Sequence, residues 1–262
     1  MKDVLSEIVA HKKREVEERR KRRSIDDLCK IIEEKNFPFR SLKQALEHSD
    51  TGIISEFKRR SPSKGWINQS ADVAFVARGY ESAGASAMSV LTDEDYFGGS
   101  DDDLKKAVSM VKIPVLRKEF IVDEFQIYES KSLGANVVLL IASAITPQQC
   151  KRFTEVASLL RLDVLLELHD EKELDYVSDK NDLVGINNRN LGTFATTVDK
   201  SFRMAELLPR DVVRVSESGI SSPSIVKELR SAGYRGFLIG ENFMKTANPG
   251  ESLKQFIEEL KA

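Results

Sequence analysis

Eight short apolar runs, at 53–58, 87–92, 114–120, 135–142, 163–169, 183–188, 212–218 and 235–240, alternate with longer stretches of mixed polarity. The runs have strand length and are rich in Val, Ile, Leu and Phe, which predicts buried strands. Between and after them, the segments 71–83, 104–111, 124–133, 147–160, 172–178, 200–207, 223–232 and 252–260 are each long enough for a helix. Strand–helix alternation predicts a parallel sheet, and eight such units predict closure into a single (β/α)8 barrel, the TIM-barrel architecture. Gly84, Gly134 and Gly233, each just ahead of a strand, read as helix C-caps and form a weak internal repeat.

Residues 1–48 precede the first strand and carry Leu5, Ile8, Val9, Val16, Leu28, Ile31 and Ile32 at broadly helical spacing. They predict a helical N-terminal extension to one barrel domain spanning 1–262. The basic stretch 12–23 interleaves glutamates with lysines and arginines, so ion pairs along a solvated helix face explain it better than a nucleic-acid patch.

Composition narrows the partners. The 40 basic and 42 acidic residues leave a formal net charge of −2, with no bulk attraction to nucleic acid or an anionic membrane. Cys29 and Cys150 lie far apart with no CxxC and no paired histidines, so neither a disulfide framework nor a metal site is expected, nor any cofactor. No signal-peptide core is evident, and no stretch approaches ~18 apolar residues. A cytoplasmic protein acting on a small molecule is expected, with a monomer favoured.

In a barrel of this kind the chemistry sits at the C-terminal strand ends. Glu56 and Lys58 end the first strand two residues apart, so both side chains leave one face, the interior. Lys118 ends the third strand, Glu167 the fifth, Asn187 and Arg189 the sixth, and Glu217 and Ser218 the seventh. Such a set would be a costly structural filling, because buried charges must be paired or employed. His169 shares the face of Glu167 but reads as a packed or capping residue, while Asp93, Glu94 and Asp95 read as a solvated loop. The seventh and eighth strands run into Gly219 and Gly240, where backbone N–H groups can approach an anion. A phosphorylated substrate is expected.

These residues carry a resemblance. The run Ser55-Glu56-Phe57-Lys58-Arg59-Arg60-Ser61-Pro62-Ser63-Lys64-Gly65 resembles the first-strand signature of the indole-3-glycerol phosphate synthase family. Val90-Leu91-Thr92, Tyr96-Phe97-Gly98-Gly99-Ser100, Leu116-Arg117-Lys118-Glu119-Phe120, Glu167-Leu168-His169, Gly185-Ile186-Asn187-Asn188-Arg189-Asn190-Leu191 and Ser216-Glu217-Ser218-Gly219-Ile220 extend it over the chain. The resemblance implies a carboxy-lyase of tryptophan biosynthesis. The reaction would close 1-(2-carboxyphenylamino)-1-deoxyribulose 5-phosphate to indole-3-glycerol phosphate, releasing carbon dioxide and water. It implies Lys118 as the general acid at the substrate ketone and Glu167 at the dehydration stage, with Glu56 and Lys58 beside them. Lys58, Ser61, Asn187 and Arg189 would contact the anthranilate carboxylate. Ser218, Gly219, Gly240 and Glu241 would hold phosphate, with Glu217 among the substrate-binding residues and Phe120, Leu140 and Leu91 as apolar wall.

Two positions depart from the family pattern. Glu241 stands where some relatives carry serine, so any phosphate contact there is expected from its backbone N–H with the side chain turned away. Asn190 stands where aspartate is expected. With its last residue, Ala262, directly after one barrel, the chain is expected to be monofunctional. Among competing readings, phosphoribosylanthranilate isomerase would share the glycine pair without needing Lys118 or the first-strand run. A non-catalytic phosphate-binding barrel would have no reason to oppose two lysines with two carboxylates.

Overall fold

The computed structural model describes residues 4–190 and 195–262, so Leu191 of the sixth-strand motif lies outside the described residues. Three helices come first: α1 (Val4–Arg22), α2 (Ile25–Lys35) and α3 (Leu42–Glu47). A capping box starts α2: Ser24 Oγ accepts from the Asp27 N–H and the Asp27 carboxylate accepts from the Ser24 N–H. Left-handed Asn36, with φ of 43°, stops it.

The strands β1 (Ile53–Phe57), β2 (Ala87–Leu91), β3 (Val115–Lys118), β4 (Val137–Ile141), β5 (Asp163–Leu168), β6 (Leu183–Asn187), β7 (Val213–Glu217) and β8 (Tyr234–Ile239) close into a barrel. All ladders are parallel, and β8 returns to β1 through Ile53↔Phe237 and Ser55↔Ile239. The crossovers carry α4 (Val73–Ala83), α5 (Asp101–Met110), α6 (Phe125–Ser132), α7 (Pro147–Leu159), α8 (Asp199–Ala205) and α9 (Pro223–Ser231). A four-residue α10 (Glu241–Met244) and the closing α11 (Pro249–Lys261) follow β8. Between β5 and β6 the expected helix is a 3-10 helix, Glu171–Tyr176. Its six residues are too short and polar to bury an α-helical face, and i→i+3 bonding suits so short a piece.

Strand parity separates two cores. Ile54, Leu116, Val137, Leu139, Leu165, Leu183, Val215 and Leu238 point inward, and Leu42 and Leu46 of α3 close the bottom of the barrel. Glycine at 236 makes this plug fit, since an added Cβ would lie 2.9 Å from Leu46 Cδ1 and 2.8 Å from Val215 Cγ2. The opposite parity, including Ile53, Val90, Val138, Leu140 and Leu166, packs under the helices. Leu140 therefore belongs to the outer layer, and the inward residues of β4 are Leu139 and Ile141.

Lys13, Arg14, Glu17, Glu18, Lys21, Arg22 and Arg23 form the expected solvated face, with Lys21 paired to Glu18 along the helix, but the other side of the basic stretch is an interface to the barrel. Lys12 is buried beside Glu15, Asp93 and Glu119. Arg19 reaches Asp101 at 2.8 Å and Glu129 at 3.0 Å, and Arg20 reaches Asp123 at 2.8 Å. The supposed solvated loop residue Asp93 is likewise buried. A satellite core of Val16, Leu28, Val122 and Phe125 fixes α1 and α2 against α6.

Candidate active site

At the C-terminal end of the interior, Lys118 stands between two carboxylates: Nζ is 3.0 Å from Glu167 Oε2 and 3.4 Å from Glu217 Oε2. Parity brings them together, since each lies two residues beyond an inward apolar residue: Leu116, Leu165 and Val215. Glu167 Oε1 accepts from Asn187 Nδ2 at 3.2 Å, and His169 Nε2 lies 3.1 Å away, so His169 adjoins the cluster rather than packing elsewhere. Glu217 is 1% exposed, and neither of its oxygens has a hydrogen-bond partner among the described residues. Glycine at 185 leaves it room, because a Cβ there would come within 2.3 Å of Glu217 Oε1.

The two carboxyls titrate in opposite directions. Burial raises Glu167, but the Lys118 ammonium, then His169 and Asn187, outweigh it and hold the carboxyl well below its ordinary range. Burial also raises Glu217, and the Glu167 charge adds to it, so Glu217 sits well above that range despite Lys118. Lys118 itself is raised: burial opposes its charge, but Glu167, Glu217 and Glu56 more than offset this. Lys118 thus stands between one carboxyl favoured as the anion and one favoured as the acid. Environments that push paired acids apart in this way separate proton donor from proton acceptor.

Glu56 accepts from Lys58 Nζ at 2.5 Å on the adjoining strand end. A Cβ on residue 240 would approach Glu56 Oε1 to 2.4 Å, so glycine at this position is required by a carboxylate as much as by any anion. Beyond β1 a hairpin pairs Arg60–Ser61 with Gly65–Trp66. It buries Ser61, whose Oγ has no partner among the described residues, and brings Ser63 rather than Ser61 to the cavity. Arg189 Nη1 donates to Ser63 Oγ at 3.0 Å, and Asn187 Oδ1 accepts from the Arg189 N–H at 3.0 Å. The Arg189 Nε is buried with no hydrogen-bond partner among the described residues. Glu241 leans toward two cations at the rim. Its carboxylate lies 3.9 Å from both Lys64 Nζ and Arg189 Nη2, across the mouth of the site.

After β7 both Ser218 and Gly219 are left-handed, with φ of 67° and 76°. At 219 only glycine fits, since a Cβ would meet Thr196 Cγ2 at 2.6 Å. Asn188 fixes the turn by donating from Nδ2 to the Ser218 carbonyl at 3.0 Å and to Ser216 Oγ at 3.1 Å. This turn and the neighbouring Gly240 and Glu241 line a cavity of about 600 Å³ that Lys118, Glu167, Glu217 and Glu56 also line. Its apolar wall is Leu91, Phe97, Phe120, Leu139 and Ile141, with the Phe97 and Phe120 rings 6.0 Å apart, and Leu5 and Ile8 of α1 complete it. Sequence reading missed Leu139, Ile141, Leu5, Ile8, Ser63 and Glu119. Strand parity held a signal for the first two, but a tertiary contact puts the others in place.

The indole-3-glycerol phosphate synthase family model matches residues 5–258. The indole-3-glycerol phosphate synthase of Bacteroides thetaiotaomicron is 54% identical over 260 residues, covering 99% of this chain and all of its own length. That of Thermoanaerobacter pseudethanolicus is 39% identical over 259 residues, 98% of each chain. Among solved structures, a tryptophan synthase complex from Pyrococcus furiosus superposes with a TM-score of 0.59 at 15% identity, covering 81% of this chain and 98% of that one, which speaks for the fold alone. On the whole-length match and the identity to its relatives, the chain belongs to the indole-3-glycerol phosphate synthase family.

Proposed function

We propose that this cavity closes the indole ring of indole-3-glycerol phosphate from 1-(2-carboxyphenylamino)-1-deoxyribulose 5-phosphate, releasing carbon dioxide and water, with roles divided by the geometry above. The observation that carries the division is the Lys118 ammonium set 3.0 Å from Glu167 and 3.4 Å from Glu217, two carboxyls shifted in opposite directions. As the ring carbon attacks the substrate ketone, negative charge grows on the ketone oxygen, and Lys118 gives it a proton. Carbon dioxide then leaves from the ring carbon that made the attack, and its bonding pair restores unsaturation to the ring. Dehydration needs an acid for the departing hydroxyl and a base for a proton on the new ring. Glu167, held by Asn187 and favoured as the anion, suits the base, while Glu217, favoured as the acid, can return a proton to Lys118.

Lys58 and Arg189 supply the positive charge for the anthranilate carboxylate. The Ser218–Gly219 turn and the start of α10 supply backbone N–H groups for phosphate. Glu241 would repel that phosphate if it pointed inward, and its lean toward Lys64 and Arg189 keeps the negative charge at the rim. The reading extends to a single activity, supported by relatives matched over nearly their whole length, and to the cytoplasm, since two unpaired thiols suit a reducing compartment.

The test is to mix purified protein with the carboxyphenylamino-deoxyribulose phosphate and follow indole fluorescence. Product is expected to accumulate with equimolar carbon dioxide. Binding of the substrate without product would overturn the catalytic reading and leave only a phosphate-binding barrel.

A further inference from the structure

We infer that Lys12, in the middle of α1, is a positioning residue that fixes the general acid Lys118 by gripping its chain neighbour Glu119. Lys12 is 1% exposed although it belongs to a highly charged helix. Its Nζ lies 2.7 Å from Glu15 Oε2, 3.0 Å from Asp93 Oδ2 and 3.1 Å from Glu119 Oε1. One ammonium is thus shared by an acid of its own helix, an acid just beyond β2 and an acid just beyond β3. These neighbours keep it charged: burial would lower its pKa, but Glu119, Asp93 and Glu15 raise it overall.

Glu119 is the hinge of the argument. Besides meeting Lys12, Oε1 accepts the Phe120 N–H at 2.8 Å, and Oε2 accepts from Thr92 Oγ1 at 2.7 Å. That hydroxyl in turn accepts from Arg117 Nε at 3.2 Å. Arg117 is itself held at 2.8 Å by both Asp101 and Glu129. Alternation along the strand sends Arg117 and Glu119 away from the side that carries Lys118. Both neighbours of the acid are therefore anchored behind the strand, and their anchors lead back to α1, through Lys12 on one side and through Arg19 on Asp101 and Glu129 on the other. Phe120 continues the same segment into the apolar wall.

Without Lys12, Asp93 and Glu119 would face each other with no cation between them. Mutual repulsion would pull Glu119 off Thr92 and the Phe120 N–H, and the end of β3 would be free to shift. Lys118 works only if its ammonium stays within reach of both the ketone oxygen and Glu167. A displacement on the order of 1 Å in such a group can cost about a hundredfold in rate. The N-terminal extension is on this account part of what aims the acid, and the inference rests on the assignment of Lys118 as that acid.

The test uses the full-length protein with Lys12→Met, Lys12→Arg, Glu119→Gln and the Lys12→Met/Glu119→Gln pair, reading kcat, KM and thermal midpoint. Lys12→Met is expected to lower kcat by roughly ten- to a hundredfold while KM moves less than about threefold. Lys12→Arg, which restores a cation among the three carboxylates, should recover most of kcat. The double variant should lose less than the product of the two single losses, because both act on one contact. A lowered thermal midpoint with kcat intact in Lys12→Met would overturn the inference, and so would losses that multiply. If Lys12→Met fails to fold, Glu119→Gln decides alone, and unchanged kcat there overturns it. Failure of the underlying assignment looks different: Lys118→Met would then turn over at full rate.

Discussion

The two ends of the barrel interior are built from the same strands and differ by one step of the pleat. At the bottom, Ile54, Leu116, Leu165 and Val215 meet the α3 plug of Leu42 and Leu46 in an apolar, filled layer. Two residues further along, the same faces carry Glu56, Lys118, Glu167 and Glu217, and the space above them is an open cavity. The lower layer needs nothing from outside, whereas the upper one holds a carboxyl and a guanidinium N–H that have no hydrogen-bond partner among the described residues. Buried charge without full compensation is a standing cost of several kcal/mol. Its concentration at one end shows that stability and chemistry are divided by height in the barrel rather than by strand.

The largest expected effect tests the upper layer. Lys118→Met should lower kcat by about 10²–10⁴-fold, the usual contribution of a positioned acid, with a much smaller change in substrate binding. Single-turnover fluorescence together with equilibrium binding would measure both. Full turnover in this variant would remove Lys118 from the proton path and dissolve the contrast between the layers.

Next in size is the matching cut in the lower layer. Leu46 is fully buried against Val215 and the Cα of Gly236, so Leu46→Ala opens a cavity the barrel cannot easily refill. A loss of about 2–5 kcal/mol in denaturant unfolding is expected. The folded fraction should keep its kcat. If turnover of the folded variant fell as well, the plug would be coupled to the site, and the division by height would be wrong.

Some of this division was legible in the sequence. Polar residues placed two positions after inward apolar ones reveal their face, and Glu56, Lys118, Glu167 and Glu217 all stand that way. The fourth run, Ala135-Asn136-Val137-Val138-Leu139-Leu140-Ile141-Ala142, has no such marker in its apolar stretch. Its phase was therefore open by one residue, enough to exchange Leu139 for Leu140. The partners of Lys12 were hidden for a different reason. Within α1 only Glu15 and other helix neighbours are visible, and Asp93 and Glu119 reach Lys12 only once the chain has closed on itself. Ser61 and Ser63 exchange places because a two-stranded hairpin follows β1, and nothing in the local pattern announced it. Gly240 reads in the sequence as a turn toward an anion, but the missing Cβ there makes space for Glu56, as it does at 185 for Glu217. A sequence shows where glycine is, not which side chain needs the room.

The smallest expected effect concerns the neutral acid. Glu217 is raised above the ordinary carboxylate value of 4.5 by burial and by the Glu167 charge. A carboxyl raised on folding contributes stability that is complete below its unfolded value and is lost as pH rises through the folded one. Glu167, lowered on folding, does the opposite: its contribution is present above 4.5 and lost as pH falls through its folded value. Glu217→Gln keeps the shape of the neutral acid and removes only its ionisation. Compared with the unaltered protein, the variant should therefore gain relative stability as pH rises from 4.5, while the acid-side loss due to Glu167 remains in both. Urea midpoints taken at intervals below 10.5, the ordinary value for the Lys118 ammonium, would show the two curves separating upward. Parallel curves would mean that Glu217 is already ionised in the fold, and Lys118 would then have two anions beside it and no neutral acid to restore its proton.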